Sequence, residues 1–310
     1  MKHSFADIEK IIREEKIFKN PEISFFKEGF GNYNYLIKEN GKNFILRAKK
    51  STEKQFKDSL KNEFTFLSFL NFKKIEFVPQ ALYYSDKNNF LLEEFIEGEK
   101  ISQKNFNEEQ IKLFAKQICI LSALNIQEFK NFCENNKLKL PKKFNLKKLL
   151  DVYGFVRFHE IRKERVNRKL LAIVEKELLR IEKIIKSSKI NRKHGISWGD
   201  VQSEVILGKS NILFFYDFEH MQISTENDLA YIKVHGKFNN KQFNYLVDCY
   251  IDYGREKKET ILERIRLSER VIRINDAVWS LMMWSKAESL KDRKFFEKLT
   301  EKRIKFLTLS

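Results

Sequence analysis

The sequence predicts an α+β chain in which a small antiparallel sheet with one inserted helix precedes a larger, mainly helical part. Three observations carry this expectation. The first 95 or so residues alternate apolar and polar positions in short runs separated by turn residues, which is the pattern of half-buried strands. From Asn107 onward the apolar residues recur at helical spacing instead. Only 3 Pro and 10 Gly occur in 310 residues, which favours long helices over complex loops. The expected division is therefore 1–95 for the sheet part and 96–310 for the helical part, and a chain of this length can bury the cores of two such units.

The elements follow in order. Phe5, Ile8, Ile11 and Ile12 fall at helical spacing, predicting a helix over 5–18 that Pro21 ends. Strands are expected over 23–27, 33–38 and 44–48, with Asn40-Gly41 as the hairpin turn before the last of these. Phe56, Leu60, Phe64, Leu67 and Leu70 predict a helix over 53–72, and strands at 81–85 and 90–95 flank the turn 86–89. Further helices are expected over 108–126, 162–185, 243–250, 257–270, 274–285 and 291–307. Between them lies Trp198-Gly199-Asp200-Val201-Gln202-Ser203-Glu204-Val205-Ile206-Leu207, which leads to Asp217-Phe218-Glu219 and reads as a hairpin of strands 205–207 and 212–216. No internal repeat is found.

Composition bounds the function. Hydrophobic residues make up 42% of the chain, so it is globular rather than disordered. The formal net charge of +17 suits a solvated lysine-rich surface, or an anionic partner. The basic residues are scattered and no nucleic-acid motif accompanies them, so a nucleic-acid partner is not expected. The densest run, Lys137, Lys139, Lys142, Lys143, Lys147 and Lys148, reads as a linker. Cys119, Cys133 and Cys249 form no CxxC pair, which excludes a disulfide framework and a zinc site and fits a reducing compartment. The N-terminus carries Asp7, Glu9, Glu14 and Glu15 and is no signal peptide, and no apolar run approaches the roughly 18 residues of a membrane span. A soluble, cytoplasmic protein is the expectation.

The candidate site residues come from chemistry and placement. Asp200 precedes the first hairpin strand and Asp217 follows the second, so a closed hairpin brings the two carboxylates together. Phosphoryl transfer uses such a pair, one carboxylate for the attacking hydroxyl and one for the metal on the phosphates. Glu28-Gly29-Phe30-Gly31-Asn32 is either an ordinary turn or a backbone loop over phosphates. Arg47 on the following strand and Glu63 in the helix are a plausible phosphate-gripping pair, or unrelated surface residues. Glu93-Glu94-Phe95-Ile96-Glu97-Gly98 is a connector of the kind that offers backbone groups to a flat base. Trp279 and Trp284 present aromatic faces that either pack in the core or bind a protonated amine.

The order of these features resembles that of the aminoglycoside phosphotransferase and choline/ethanolamine kinase superfamily, along nearly the whole chain. Gly29–Tyr35 resembles the phosphate-covering loop, Phe44-Ile45-Leu46-Arg47 the basic strand, and Leu91–Gly98 the adenine-binding linker. Asp217-Phe218-Glu219 with Asp228-Leu229-Ala230 looks like the metal-binding segment and the structural Asp-Leu-Ala after it. Asp200-Val201-Gln202, Ile206-Leu207 and Ala277-Val278-Trp279-Ser280-Leu281 lean towards the choline-kinase side.

The resemblance implies a protein-kinase-like two-lobe fold and an ATP- and Mg²⁺-dependent kinase acting on a hydroxyl of a small hydroxylated amine. Choline, ethanolamine or an aminoglycoside-like amine is the expected acceptor. It implies Asp200 as the catalytic base and Asp217 as the metal ligand. Gly29, Gly31, Asn32, Arg47, Glu63, Glu94, Phe95 and Ile96 would hold the nucleotide, and Glu219, Trp279 and Trp284 would face the cationic acceptor. Three positions depart from the pattern: Trp198 stands where the family has a structural His, Asn125 where relatives place His, and Val205 where the family has a metal-ligating Asn. Valine offers Mg²⁺ no oxygen, so a catalytically weak or inactive nucleotide- or partner-binding relative is the alternative.

Overall fold

A computed structural model of the chain describes residues 5–29, 31–50, 59–140, 150, 154, 157–162, 168–187, 195–199, 201, 204–219, 222–223, 227–254 and 256–308. Five antiparallel strands lie in the order β1-β2-β3-β5-β4, with β1 Glu22–Glu28, β2 Asn32–Glu39, β3 Lys42–Lys49, β4 Ala81–Ser85 and β5 Phe90–Glu94. Side chains alternate faces along a strand. Tyr35 and Ile37, Leu46 and Ala48, and Phe90 and Leu92 are therefore buried together on one face, against Ile8, Ile11 and Ile12 of helix α1, Phe5–Glu15. The opposite face carries Asn32 and Asn34, Ile45, Arg47 and Lys49, and Leu91 and Glu93, as the registers Asn32↔Lys49, Asn34↔Arg47, Arg47↔Leu91 and Ile45↔Glu93 require. The β2–β3 turn is made by Asn40 and Gly41, with φ of 51° and 74°, the left-handed pair that a tight hairpin demands.

Helix α2, Ser59–Phe72, follows, and residues 53–58 of the helix expected over 53–72 lie outside the described residues. Its Phe66 stacks on Phe129 of α4, Ile126–Asn135, with ring centroids 4.9 Å apart. The helix expected over 108–126 is two elements. It ends as α3, Glu108–Ser122, and Asn125 restarts the chain as the N-cap of α4, accepting from the backbone N–H groups of Gln127 and Glu128. The segment after the connector is a strand that the sequence did not suggest. This β6, Gly98–Ser102, pairs antiparallel with β8, Glu204–Gly208, which also pairs with β9, Leu213–Phe214. Gly98 is required there, because a Cβ would lie 2.4 Å from the carbonyl oxygen of Leu207.

Two compact units divide the chain. The first gathers 1–117, 125–141 and 198–221, so it runs past residue 95 and includes β6 and the β8–β9 hairpin. The second gathers 118–124, 142–197 and 222–310 and is mainly helical. It contains α5 Arg157–Ile161, α6 Arg168–Ser187, α7 Asn227–His235, α8 Asn240–Gly254, α9 Lys258–Lys286 and α10 Leu290–Thr308, and a short pair of β7, Ile196–Ser197, with β10, Gln222–Ile223. Its core joins Val174, Leu178 and Ile181 of α6 to Val271, Ile274, Val278 and Leu281 of α9 and to Ile304 and Leu307 of α10. The two helices expected over 257–270 and 274–285 are the single 29-residue α9. No Gly or Pro interrupts it, and Val271 and Ile272 continue its buried face. Residues 141–149, with most of the basic run, lie outside the described residues. Among the described residues no helix is long and apolar enough to cross a membrane.

Candidate active site

Arg47 is the centre of a buried charge cluster in the first unit. Strand alternation turns it away from the α1 core and towards α2, where Glu63 is wholly buried. Nη1 of Arg47 donates to Glu63 Oε1 at 2.5 Å, and Nη2 donates to Asp217 Oδ1 and to Glu219 Oε1, both at 2.8 Å. Glu63 Oε1 also accepts from the backbone N–H of Phe218 at 2.8 Å, which ties the Asp217-Phe218-Glu219 segment to α2. Glu93 stands 4.0 Å from Nη1. Lys49, two residues along the same face and almost fully buried, donates to Glu219 Oε2 at 2.6 Å. Ser59 Oγ donates to the same oxygen at 3.0 Å, and Asn32 Nδ2 donates to Glu219 Oε1.

Four carboxylates thus face two cations, and the electrostatics follow. Burial works against the charge on Arg47, but Glu63, Asp217, Glu93 and Glu219 outweigh it and hold its pKa above the ordinary value. Burial pushes the Glu63 carboxyl upward, with Arg47 pulling the other way. Burial also raises Glu93 to about 7, against the pull of Arg47 and with help from Asp217 and Glu219. Among the described residues, Glu63 Oε2 and Glu93 Oε2 are buried with no hydrogen-bond partner. Asp217 differs from its neighbours. Its side chain is 38% exposed, and its φ of 64° is left-handed, a conformation that aspartate tolerates and that clusters at functional sites.

Trp198 holds the start of the segment that leads to Asp200. It is fully buried and lies flat on Phe215, with centroids 4.3 Å apart and planes 6° from parallel, and Phe218 tilts against it at 5.7 Å. Its Nε1–H donates to the Tyr216 carbonyl at 3.2 Å. Gly199 follows with φ of 89°, which favours glycine. Asp200 lies outside the described residues. In the second unit, Ser197 Oγ donates to the buried Asp228 Oδ1 at 2.6 Å.

No family model and no curated protein matches the sequence. Solved structures do match along nearly the whole chain. An ethanolamine kinase of Plasmodium vivax is similar at 15% identity and a TM-score of 0.68, over 96% of this chain and 87% of its own. The aminoglycoside 2'-phosphotransferase-IIIa, in its GDP complex, is similar at 17% identity and a TM-score of 0.68, over 98% and 99%. A choline kinase from Cryptosporidium parvum is similar at 13% identity and a TM-score of 0.65, over 99% and 95%. The fold is that of the aminoglycoside phosphotransferases and the choline and ethanolamine kinases.

Within this kinase-like two-lobe α+β fold, the expected site residues that are described fall into four groups. Asn32, Arg47, Glu63, Asp217 and Glu219 come together in the first unit. Glu219, expected to face a cationic acceptor, accepts at both carboxylate oxygens from the chain's own donors, because β3 presents Arg47 and Lys49 to it. Gly29 and Gly31 flank the β1–β2 connection, where Gly29 N–H donates to the Asn32 carbonyl at 2.9 Å and Lys50 N–H to the Gly31 carbonyl at 3.0 Å.

Glu94 ends β5, and Phe95 and Ile96 follow it. Glu94 is exposed and accepts from the backbone N–H of Gln80 at 3.2 Å, and Phe95 meets Phe26 edge-on. Trp279 and Trp284 are partly buried on α9 against the second core. One face of Trp279 is covered by the guanidinium of Arg303, 5.2 Å from the ring centroid, so the cation it meets there is the chain's own. Val205 is fully buried on β8 opposite Ile101, with no oxygen to offer. Sequence reading missed Lys49, Ser59 and Glu93. The period of two from Arg47 pointed to Lys49, and the register of β5 on β3 selects Glu93 over the neighbouring Glu94.

Proposed function

We propose that this chain is a phosphotransferase that moves the γ-phosphoryl group of ATP to a hydroxyl of a small hydroxylated amine. A choline- or ethanolamine-like amino alcohol is the preferred acceptor and an aminoglycoside-like amine the other. The observation that carries the reading is Arg47 clamped between Glu63 and Asp217. It places a fixed cation beside a part-exposed carboxylate at the end of a hairpin, on a fold shared with small-molecule kinases. In this reading Arg47 binds the nucleotide phosphates and Glu63 fixes its orientation, so that little reorganisation is needed when charge develops on them. Asp200 accepts the proton of the acceptor hydroxyl. The acceptor oxygen forms a bond to the γ-phosphorus as the β–γ bridging bond breaks, and ADP leaves with those electrons.

The donor set suits one Mg²⁺ held by a single carboxylate, Asp217, since that ion commonly keeps water and phosphate as its other ligands and the cluster carries surplus negative charge. Mg²⁺ bound there would neutralise charge on the phosphates. Among the described residues no group of three or more His, Cys, Asp or Glu forms a metal cage.

One observation favours a second reading, a nucleotide-binding protein without turnover: Val205 is wholly buried and supplies no ligand. Mg²⁺-dependent ADP release, measured across choline, ethanolamine and aminoglycosides with Asp200→Ala as control, separates the two. Acceptor-stimulated release that the control abolishes supports the kinase. Nucleotide binding with no release under any acceptor supports the second reading.

A further inference from the structure

Four donors from three segments of the first unit converge on one carboxylate. Arg47 Nη2 and Asn32 Nδ2 donate to Glu219 Oε1, and Lys49 Nζ and Ser59 Oγ donate to Oε2. A guanidinium, an ammonium, an amide and a hydroxyl form the set that grips phosphate oxygens. We propose that Glu219 occupies, with its own carboxylate, the anion site that the nucleotide phosphates take, so that nucleotide binding displaces it and Lys49 becomes a second phosphate-gripping cation beside Arg47. This inference rests on the kinase reading and adds to it a resident competitor for the phosphate site.

Three features separate this arrangement from an ordinary ion pair. Lys49 is 5% exposed, and a lysine that deeply placed is rare unless an anion meets it. Gly31, in the candidate phosphate loop, sits so close that a Cβ on it would come within 3.4 Å of Lys49 Nζ, so the loop and the ammonium share one site. The framework also stays in place when Glu219 leaves. Nη1 of Arg47 keeps Glu63, and the Phe218 N–H keeps the same Glu63 oxygen, so the backbone beneath Glu219 is pinned and its side chain alone needs to turn. A phosphate group carries more negative charge than one carboxylate and competes well for two cations. Its apparent affinity is then reduced by the fraction of molecules in which Glu219 has vacated the site.

The test is calorimetric binding of two probes, ATP and inorganic tripolyphosphate, to the full chain and its variants. Glu219→Gln removes the competing charge and is expected to tighten binding of both probes by about tenfold. Glu219→Asp withdraws the carboxylate by one methylene while keeping the net charge. It is expected to tighten binding in the same direction, and it decides the question if Glu219→Gln does not fold. Adding Lys49→Met to either variant is expected to remove the gain. Unchanged or weaker binding in both variants overturns the inference, as does a gain that survives Lys49→Met, which would place the extra affinity on the basic surface. If the wild type binds ATP and the variants gain nothing, only this inference falls. If no form of the protein binds either probe, the kinase reading falls with it.

Discussion

Arg47 Nη1 and Glu63 Oε1 meet at 2.5 Å, with side chains only 8% and 0% exposed, and the pair joins β3 to α2 across the charged face of the sheet. Glu63→Ala leaves Arg47 with Asp217 and Glu219 but removes the acceptor shared by its Nη1 and the buried Phe218 N–H. It should cost about 1–3 kcal/mol per donor left unmet in urea unfolding and weaken ATP binding, because Arg47 loses the partner that orients it. Glu63→Gln keeps the shape and an acceptor and should cost clearly less. Equal losses in the two variants would show that packing rather than charge governs the position.

Glu93 supplies a pH signature. Burial raises it to about 7 from an ordinary value of 4.5, so between those values the folded state holds a proton that the unfolded chain has released. Stability therefore falls as pH rises through that window, by on the order of 3 kcal/mol at roughly 1.4 kcal/mol per pKa unit. Glu93→Gln should remove this loss and gain on the wild type from pH 5 to pH 8 in paired unfolding curves. Parallel stability–pH curves for the two proteins would contradict it.

Much of this architecture was legible locally, and the rest depended on distant partners. Asn40-Gly41 announces its turn because only residues that accept left-handed φ fit there. The β3 alternation likewise marks which residues meet α1. Glu93 and Glu94 illustrate the limit: one step along a strand reverses the face, so choosing between them requires the β3–β5 register. Strand β6 is polar and finds its partner β8 some hundred residues later, so no local period reveals it. Glu219 meets Lys49 and Arg47 across 170 and 172 residues, and only the fold brings them together.

Val205 tests the metal account. Replacing it with Asn puts an amide at a fully buried position, with an expected stability loss of about 1–3 kcal/mol where the new group is not fully hydrogen-bonded. If the missing oxygen limits catalysis, turnover per folded molecule should rise and the Mg²⁺ concentration for half-maximal rate should fall. An unchanged rate and Mg²⁺ dependence would mean that another group completes the metal's surroundings.

Trp198 should be structural. Its ring stack on Phe215 and its bond to the Tyr216 carbonyl predict that Trp198→Ala costs about 3–5 kcal/mol, with Trp198→Phe well below that. Thermal unfolding of the two variants checks this. A loss of activity in Trp198→Phe with unchanged stability would give the indole a direct role instead.

If the Arg47–Asp217 centre handles the phosphates of a transferring nucleotide, single-turnover transfer depends on the Asp217 charge. Radiolabelled γ-phosphoryl transfer from ATP to the best acceptor should proceed in the wild type. In Asp217→Asn, which keeps the shape but removes the charge, it should fall by on the order of a hundredfold or more while ATP still binds. Transfer at the wild-type rate in Asp217→Asn, or no transfer from the wild type to any acceptor, would mean that this centre does not carry phosphoryl transfer.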